Sequence, residues 1–386
     1  MRFESVLSRI AAVSFACAGV LAIGAVADAS LSAGASPHRA RAASSSTSAF
    51  PAAAAANAAY MKRPTSIGIT TPVGKPIPKG KVIDFIQCGV PACAVEGDII
   101  EDATNLLHWK FVRINAGVTP QTIEDAYQQA ATNKPSAVLG SGYPRVLYNK
   151  QIAALNAEHV PVVESFTEDT AGGGLIGLVG TKVTTEIQGK EVADYMLAHS
   201  TDKTMTIGSV VPTGFPTMIV TTQALTSTIK QDCPKCSVKV LSVPNTSIGS
   251  DLPTRIASFL TANPNITWLD DGYDDMVTGV PTALKGASIT GAKLTTVSMN
   301  GSISPYITGH QYLQAAIGTS FPEAYWREVD LLARYFTGQS YKVDTNDATL
   351  PYWTITSSNI PSNAGSVTFA NVVNYKQQFE KLWGLS

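Results

Sequence analysis

An α/β protein of two similar lobes, each a three-layer sandwich around a parallel sheet, is the fold class this 386-residue sequence predicts. Three observations predict it. Short apolar runs begin near residues 81, 110, 136 and 160, spaced 24 to 29 residues apart and separated by segments with helical spacing, which is the period of β-α-β units. A Gly-rich stretch over 167–180 then breaks the rhythm. A second series of the same kind follows, with strand-like runs at 204–211, 237–243, 266–270 and 293–298. Two such halves with a break between them imply two lobes with a cleft.

The elements follow in order. Residues 81–88 form an apolar run fit for a buried strand. Ile99, Ile100, Ala103, Leu106 and Leu107 give 94–108 helical spacing. Residues 110–116 read as a strand. Thr119 and Pro120 are a cap and first position for a helix over 119–133. Strand 136–142, helix 145–159 and strand 160–166 complete the first series. In the second, helices are expected over 185–199, 215–231, 252–263 and 275–286. Beyond Asn300 the order changes: strand 312–318, helix 322–337, a final strand 351–356 and an amphipathic helix over 371–383.

Composition narrows the function classes. Hydrophobic residues make up 45% and charged residues 15%, enough apolar content for a core and a surface low in charge. The net charge is −1, so no basic excess exists to draw nucleic acid. At the N-terminus, Arg2 and Arg9 precede an uncharged run over 10–27, and Ala25, Ala27 and Ala29 are small residues at cleavage positions, so 1–29 reads as a signal peptide. An uncleaved anchor and lipidation at Cys17 are the alternatives. The chain is therefore expected to be exported, to the periplasm or cell surface, with possible tethering through its N-terminus. Residues 28–59 contain 14 Ala and 7 Ser, and 30–66 are expected to be a disordered spacer.

Four cysteines remain, in the close pairs Cys88/Cys93 and Cys233/Cys236, and in an exported chain they favour two local disulfides. A redox Cys-x-x-Cys needs its first sulfur at a helix N-terminus. Cys233 instead follows a helical segment. A zinc site would need the two pairs to meet, and free thiols would suit a cytosolic chain.

Catalytic motifs are scarce. Gly172, Gly174 and Gly177 match Gly-x-Gly-x-x-Gly, yet 175–179 look like a strand, whereas a dinucleotide fingerprint opens a helix. No phosphate loop or nucleophile elbow is present. The histidines (38, 108, 159, 199 and 310) are scattered without metal-ligand spacing, and no metal or cofactor is expected. Asp270, Asp271, Asp274 and Asp275 are the best lead to catalysis, a cation or ligand contact. They join a strand to a helix, where helix capping is the simpler role.

Several local patterns carry a resemblance. Residues 160–166 (Val160, Pro161, Val162, Val163, Glu164, Ser165, Phe166) resemble the fourth strand of the type I periplasmic binding proteins, the ribose- and galactose-binding group of ABC-transporter receptors. Residues 268–284, with Asp274, Asp275, Met276 and Gly279, resemble that family's strand–Asn-Asp-x-Met-Ala-x-Gly–helix unit. Thr296 to Gly301 and Leu350 to Thr356 resemble two further strands. The match runs over 81–360.

The resemblance implies three crossovers, near 180–185, Ser320 and Leu350. It implies an N-terminal lobe of 67–182 plus 321–349, a C-terminal lobe of 183–320 plus 350–362, and an extension over 363–386. It also implies a cleft at the C-terminal ends of the strands. The family's sugar receptors use aromatic stacking and Asp, Asn or Arg. This chain departs from them: Ala92 and Cys93 replace an aromatic pair, Phe166 and Thr167 replace Asp-Arg, and Ile219 stands near an Arg position. Tyr273 replaces Asn, and Asn300 replaces Asp. The expected ligand-binding residues are Gln87, Ser141, Tyr143, Phe166, Phe215, Tyr273 and Asn300, and the expected ligand is small, neutral and sugar-like. ABC permease subunits are the implied partners of a monomeric, non-enzymatic receptor. An enzyme on the same scaffold, or a sensory receptor without transport, is the rival reading.

Overall fold

Residues 48–366 and 369–385 are described by the computed structural model. The predicted signal peptide, Cys17 and the first part of the predicted spacer lie outside the described residues. The remainder of the spacer is a correction: Pro51–Tyr60 is a helix, α1. Alanine has the highest helix propensity, and Pro51 occupies a first-turn position where its missing N–H does no harm.

The first lobe runs β1 (Val82–Cys88), α2 (Pro91–Leu106), β2 (Lys110–Gly117), α3 (Pro120–Asn133), β3 (Ala137–Ser141), α4 (Asn149–Ala157), β4 (Val162–Ser165) and β5 (Leu175–Val179). Its sheet has the order β2-β1-β3-β4-β5, and every pairing is parallel. Helices cover both faces, so β3 and β4 are buried along their whole length. The period-two alternation is visible in β1: Ile83 and Phe85 enter one apolar cluster, Ile86 and Cys88 the other. Thr119 and Thr122 form a capping box that starts α3. Residues 145–159 open with a 3₁₀ turn at Arg145–Leu147 before α4, rather than forming one helix. His108 and His159 adopt left-handed φ of 55° and 59° and end the helices before them by geometry. Leu175–Val179 is a strand, so the glycines before it open no helix.

The second lobe runs α5 (Lys182–Ala198), β6 (Thr206–Pro212), α6 (Pro216–Asp232), β7 (Ser237–Val243), α7 (Leu252–Ala262), β8 (Ile266–Tyr273), α8 (Val280–Gly286), β9 (Lys293–Val297), α9 (Ser304–Thr308) and β10 (Leu313–Gly318). After α10 (Phe321–Phe336) comes β11 (Trp353–Thr356), which joins this sheet antiparallel to β10. The sheet order is β11-β10-β9-β8-β6-β7. Strand β8 extends past its expected end, so Asp270 and Asp271 lie buried on the strand and cap nothing. The helix expected over 275–286 is divided by Gly279 at φ 81° into a 3₁₀ turn, Asp274–Val277, and α8.

Chain crossings between the lobes fall between β5 and α5, between β10 and α10, and just before β11. The Asp347 carboxylate holds the first, accepting from the Gly180 and Thr181 amides at 3.1 and 2.5 Å. Asn371 ties the other two, donating to the carbonyls of Gly318 and Pro351 at 3.0 and 2.7 Å. The terminal helix α11 (Tyr375–Trp383) therefore begins later than expected. It packs on α10, with Trp383 stacked on Trp326 at 5.4 Å. At the other terminus, Phe50 and Ala53 are buried as α1 lies against α5.

Candidate functional site

Both sheets turn the C-terminal ends of their parallel strands toward the junction of the lobes. From the first lobe come Ser141 at the end of β3, Phe166 just after β4, and the opening turns of α2 with Val90, Ala92, Cys93 and Glu96. Phe321 enters from the start of α10. The second lobe contributes Gln188 on α5, Phe215 before α6 with Thr217 and Met218 on it, Tyr273 ending β8, and Val297 ending β9 with Ser298 after it. Together they line a partly open cavity of about 60 Å³. That holds a few waters, and it is far below the roughly 300–1,000 Å³ of ordinary small-molecule sites. A ring-sized guest needs more room than it offers.

An aromatic pair spans the cleft. Tyr143 of the first lobe stacks on Phe215 of the second at 5.8 Å, with rings 20° apart. Phe215 meets Tyr273 edge-on at 6.2 Å. Gly142, at φ 81°, faces Phe215, and a Cβ there would lie 3.2 Å from that ring, so position 142 needs glycine on both counts. Phe166 meets Phe321 edge-on at 5.5 Å. A polar contact also crosses: Asp275 Oδ2 accepts from the Ala92 amide at 2.5 Å. Helix α2 lacks a side-chain cap of its own, because Val90 occupies the cap position. Asp275 does act as a helix cap, but for a helix in the other lobe.

The electrostatics are one-sided. Glu96 is buried, and desolvation pushes its carboxyl up to about 7; hydrogen bonds with Tyr325 and Ser141 oppose the rise, and Asp275 adds to it. Burial and then Asp275 hold the Asp274 carboxyl well above its usual range. Behind the first-lobe wall, burial pushes Glu164 up to about 8, although Tyr127 Oη donates to Glu164 Oε1 at 2.6 Å.

Of the seven residues expected in the cleft, Ser141, Phe166, Phe215 and Tyr273 line the cavity. Tyr143 stands beside them on Phe215, with its hydroxyl donating to the Gly117 carbonyl at 2.6 Å. Asn300 lies just outside, where its Oδ1 accepts from the Ser302 amide at 2.9 Å and its Nδ2 reaches Asp275 at 3.5 Å. Gln87 does not line this cavity. Strand alternation sends Cys88 toward the cleft and leaves Gln87 beside Gly97 and Arg113. Glu96, Gln188, Thr217, Met218 and Phe321 escaped the sequence reading because they sit on helices, not at strand ends. A signal existed for Glu96, which shares a helix face with Ala92 and Cys93 at spacings of four and three. Cys88 is paired with Cys93 and Cys233 with Cys236 as disulfides, with Cα separations of 5.4 and 5.3 Å. The first pair forms part of the cavity wall.

No protein-family model and no curated protein matches the chain. Solved structures do. An ABC sugar transporter subunit from Rhodobacter sphaeroides 2.4.1 superposes with a TM-score of 0.62 at 19% identity, covering 73% of this chain and 99% of that one. A 5-methylthioribose transporter solute-binding protein from Thermotoga lettingae TMO, in complex with 5-methylthioribose, gives 0.64 at 15% identity over 81% of this chain and 100% of its own. A glucose-galactose binding protein from Geobacillus stearothermophilus gives 0.60 at 12% identity, covering 74% and 100%. The two sheets, their three connections and these superpositions show that the chain has the type I periplasmic binding protein fold.

Proposed function

We propose that this protein is the exported solute-binding component of an ABC-type importer, capturing a small, cyclic, sugar-like molecule between its lobes and presenting it to permease subunits. The observation that carries this reading is the cavity itself. It sits at the junction of the lobes, takes residues from both, and has four aromatic rings: Phe166, Phe215, Tyr273 and Phe321. Flat apolar faces with a few neutral polar groups suit the faces and hydroxyls of a ring. The sugar complexes among proteins of this fold support the choice of ligand class. Among the described residues, no helix is long and apolar enough to cross a membrane.

A thermal-shift screen of monosaccharides, polyols and related rings, followed by calorimetry on the hits, tests the reading. At least one compound should raise the melting temperature. Phe166→Ala and Tyr273→Ala should each weaken its binding by about 1–3 kcal/mol, the scale for a buried ring contact. Full affinity in both variants would place the ligand elsewhere.

A further inference from the structure

Three carboxylates converge on the cleft: Glu96 from the first lobe, Asp274 and Asp275 from the second. Asp275 is already engaged by the Ala92 amide and by Asn300. Asp274 accepts from the Asp275 amide through Oδ1. Its Oδ2 has no partner among the described residues, but Asp274 does not line the cavity. Glu96 does, with hydrogen bonds from Tyr325 and Ser141 to its carboxyl. It is only 4% exposed, and its Oε2 has no hydrogen-bond partner among the described residues. The Tyr273 hydroxyl, on the opposite wall, is likewise without a partner among them. None of the sixteen lining residues is Lys, Arg or His.

A buried carboxylate oxygen without a donor is costly, and a guest that brings one relieves it. A guest carrying phosphate or carboxylate would find no cation here. A guest carrying an ammonium would pair with Glu96 by a charge-assisted hydrogen bond. The same positive group would gain from the faces of Phe166, Phe215, Tyr273 and Phe321, since aromatic faces attract cations. We infer that the ligand is a sugar-like ring bearing a protonated amine, with its ammonium on Glu96 and its ring against the aromatic walls. This rests on the carrier reading above and replaces the expectation of a neutral ligand, which considered only strand-end residues and so left out Glu96.

Calorimetry with matched probes tests it. D-glucosamine is compared with D-glucose and N-acetyl-D-glucosamine, and cyclohexylamine with cyclohexanol, on the wild-type protein and Glu96→Gln at neutral pH. The inference expects an amine in at least one series to bind tenfold or more tighter than its neutral partners. It also expects Glu96→Gln to abolish that preference. If Glu96→Gln does not fold, the wild-type comparison still decides. Neutral partners that bind as well as the amines in both series would overturn the inference and leave the carrier reading intact. Failure of every amine to bind would also overturn it. The carrier reading would fall as well only if native mass spectrometry of the exported protein found no small molecule bound.

Discussion

Single positions show how far a sequence can place a site. Phe166 was legible because it directly follows a strand whose four residues are all buried. What the sequence does not display is its φ of 49°, in the left-handed region, which a bulky residue adopts only when its surroundings hold it there. Phe321 and Tyr325 do so, with rings 5.5 and 5.7 Å away. Glu164 was legible as part of a strand pattern, but its burial under Tyr127 was not, because that depends on where α3 lands. Its burial has a consequence for stability. Burial pushes Glu164 to about 8 and Glu96, Asp270 and Glu323 to about 7. Each therefore binds its proton more tightly folded than unfolded. The stabilisation they give is fully present below the ordinary carboxylate range and is lost as pH rises through 7 to 8. The melting temperature should thus fall between pH 5 and pH 8, and Glu164→Gln should reduce that fall. A melting temperature that rises over this interval in circular dichroism would contradict the assignment.

At the scale of elements, the alternation of strands and helices was legible because apolar runs and helical spacing are local properties. The start of α1 was not. An Ala-rich segment with little to bury reads as unstructured, and the decisive fact is tertiary: Phe50 and Ala53 find a surface on α5. The cap of α2 was hidden for a similar reason, since Asp275 lies 183 positions away in sequence. This contact gives α2 its anion only when the lobes are closed. Asp275→Asn removes the charge but keeps the shape, so it should weaken closure by about 0.5–2 kcal/mol, the worth of a cap. The observable is ligand affinity, lowered about two- to thirty-fold, with the melting temperature of the free protein changed little. Undiminished affinity would mean that the contact does not bias the lobes.

For the whole molecule, two lobes and a cleft followed from the Gly-rich break between two series, yet the ties across the junction did not. Asn371 holds two of the three crossings, and Arg63 donates to the carbonyls of Asn371 and Ala370 at 2.8 and 3.0 Å while lying 4.8 Å over the Trp353 ring. Both chain ends thus brace the hinge, through contacts between residues about 300 positions apart that no local pattern foreshadows. A braced hinge fits motion of two rigid lobes rather than loosening of either. A cavity of about 60 Å³ calls for such motion, because a ring needs more room than that. Small-angle X-ray scattering on the free protein, and on the protein saturated with the tightest-binding compound from the screen, tests this most directly. The expected result is a larger radius of gyration for the free protein and a contraction on binding. An identical radius of gyration at full saturation would contradict it.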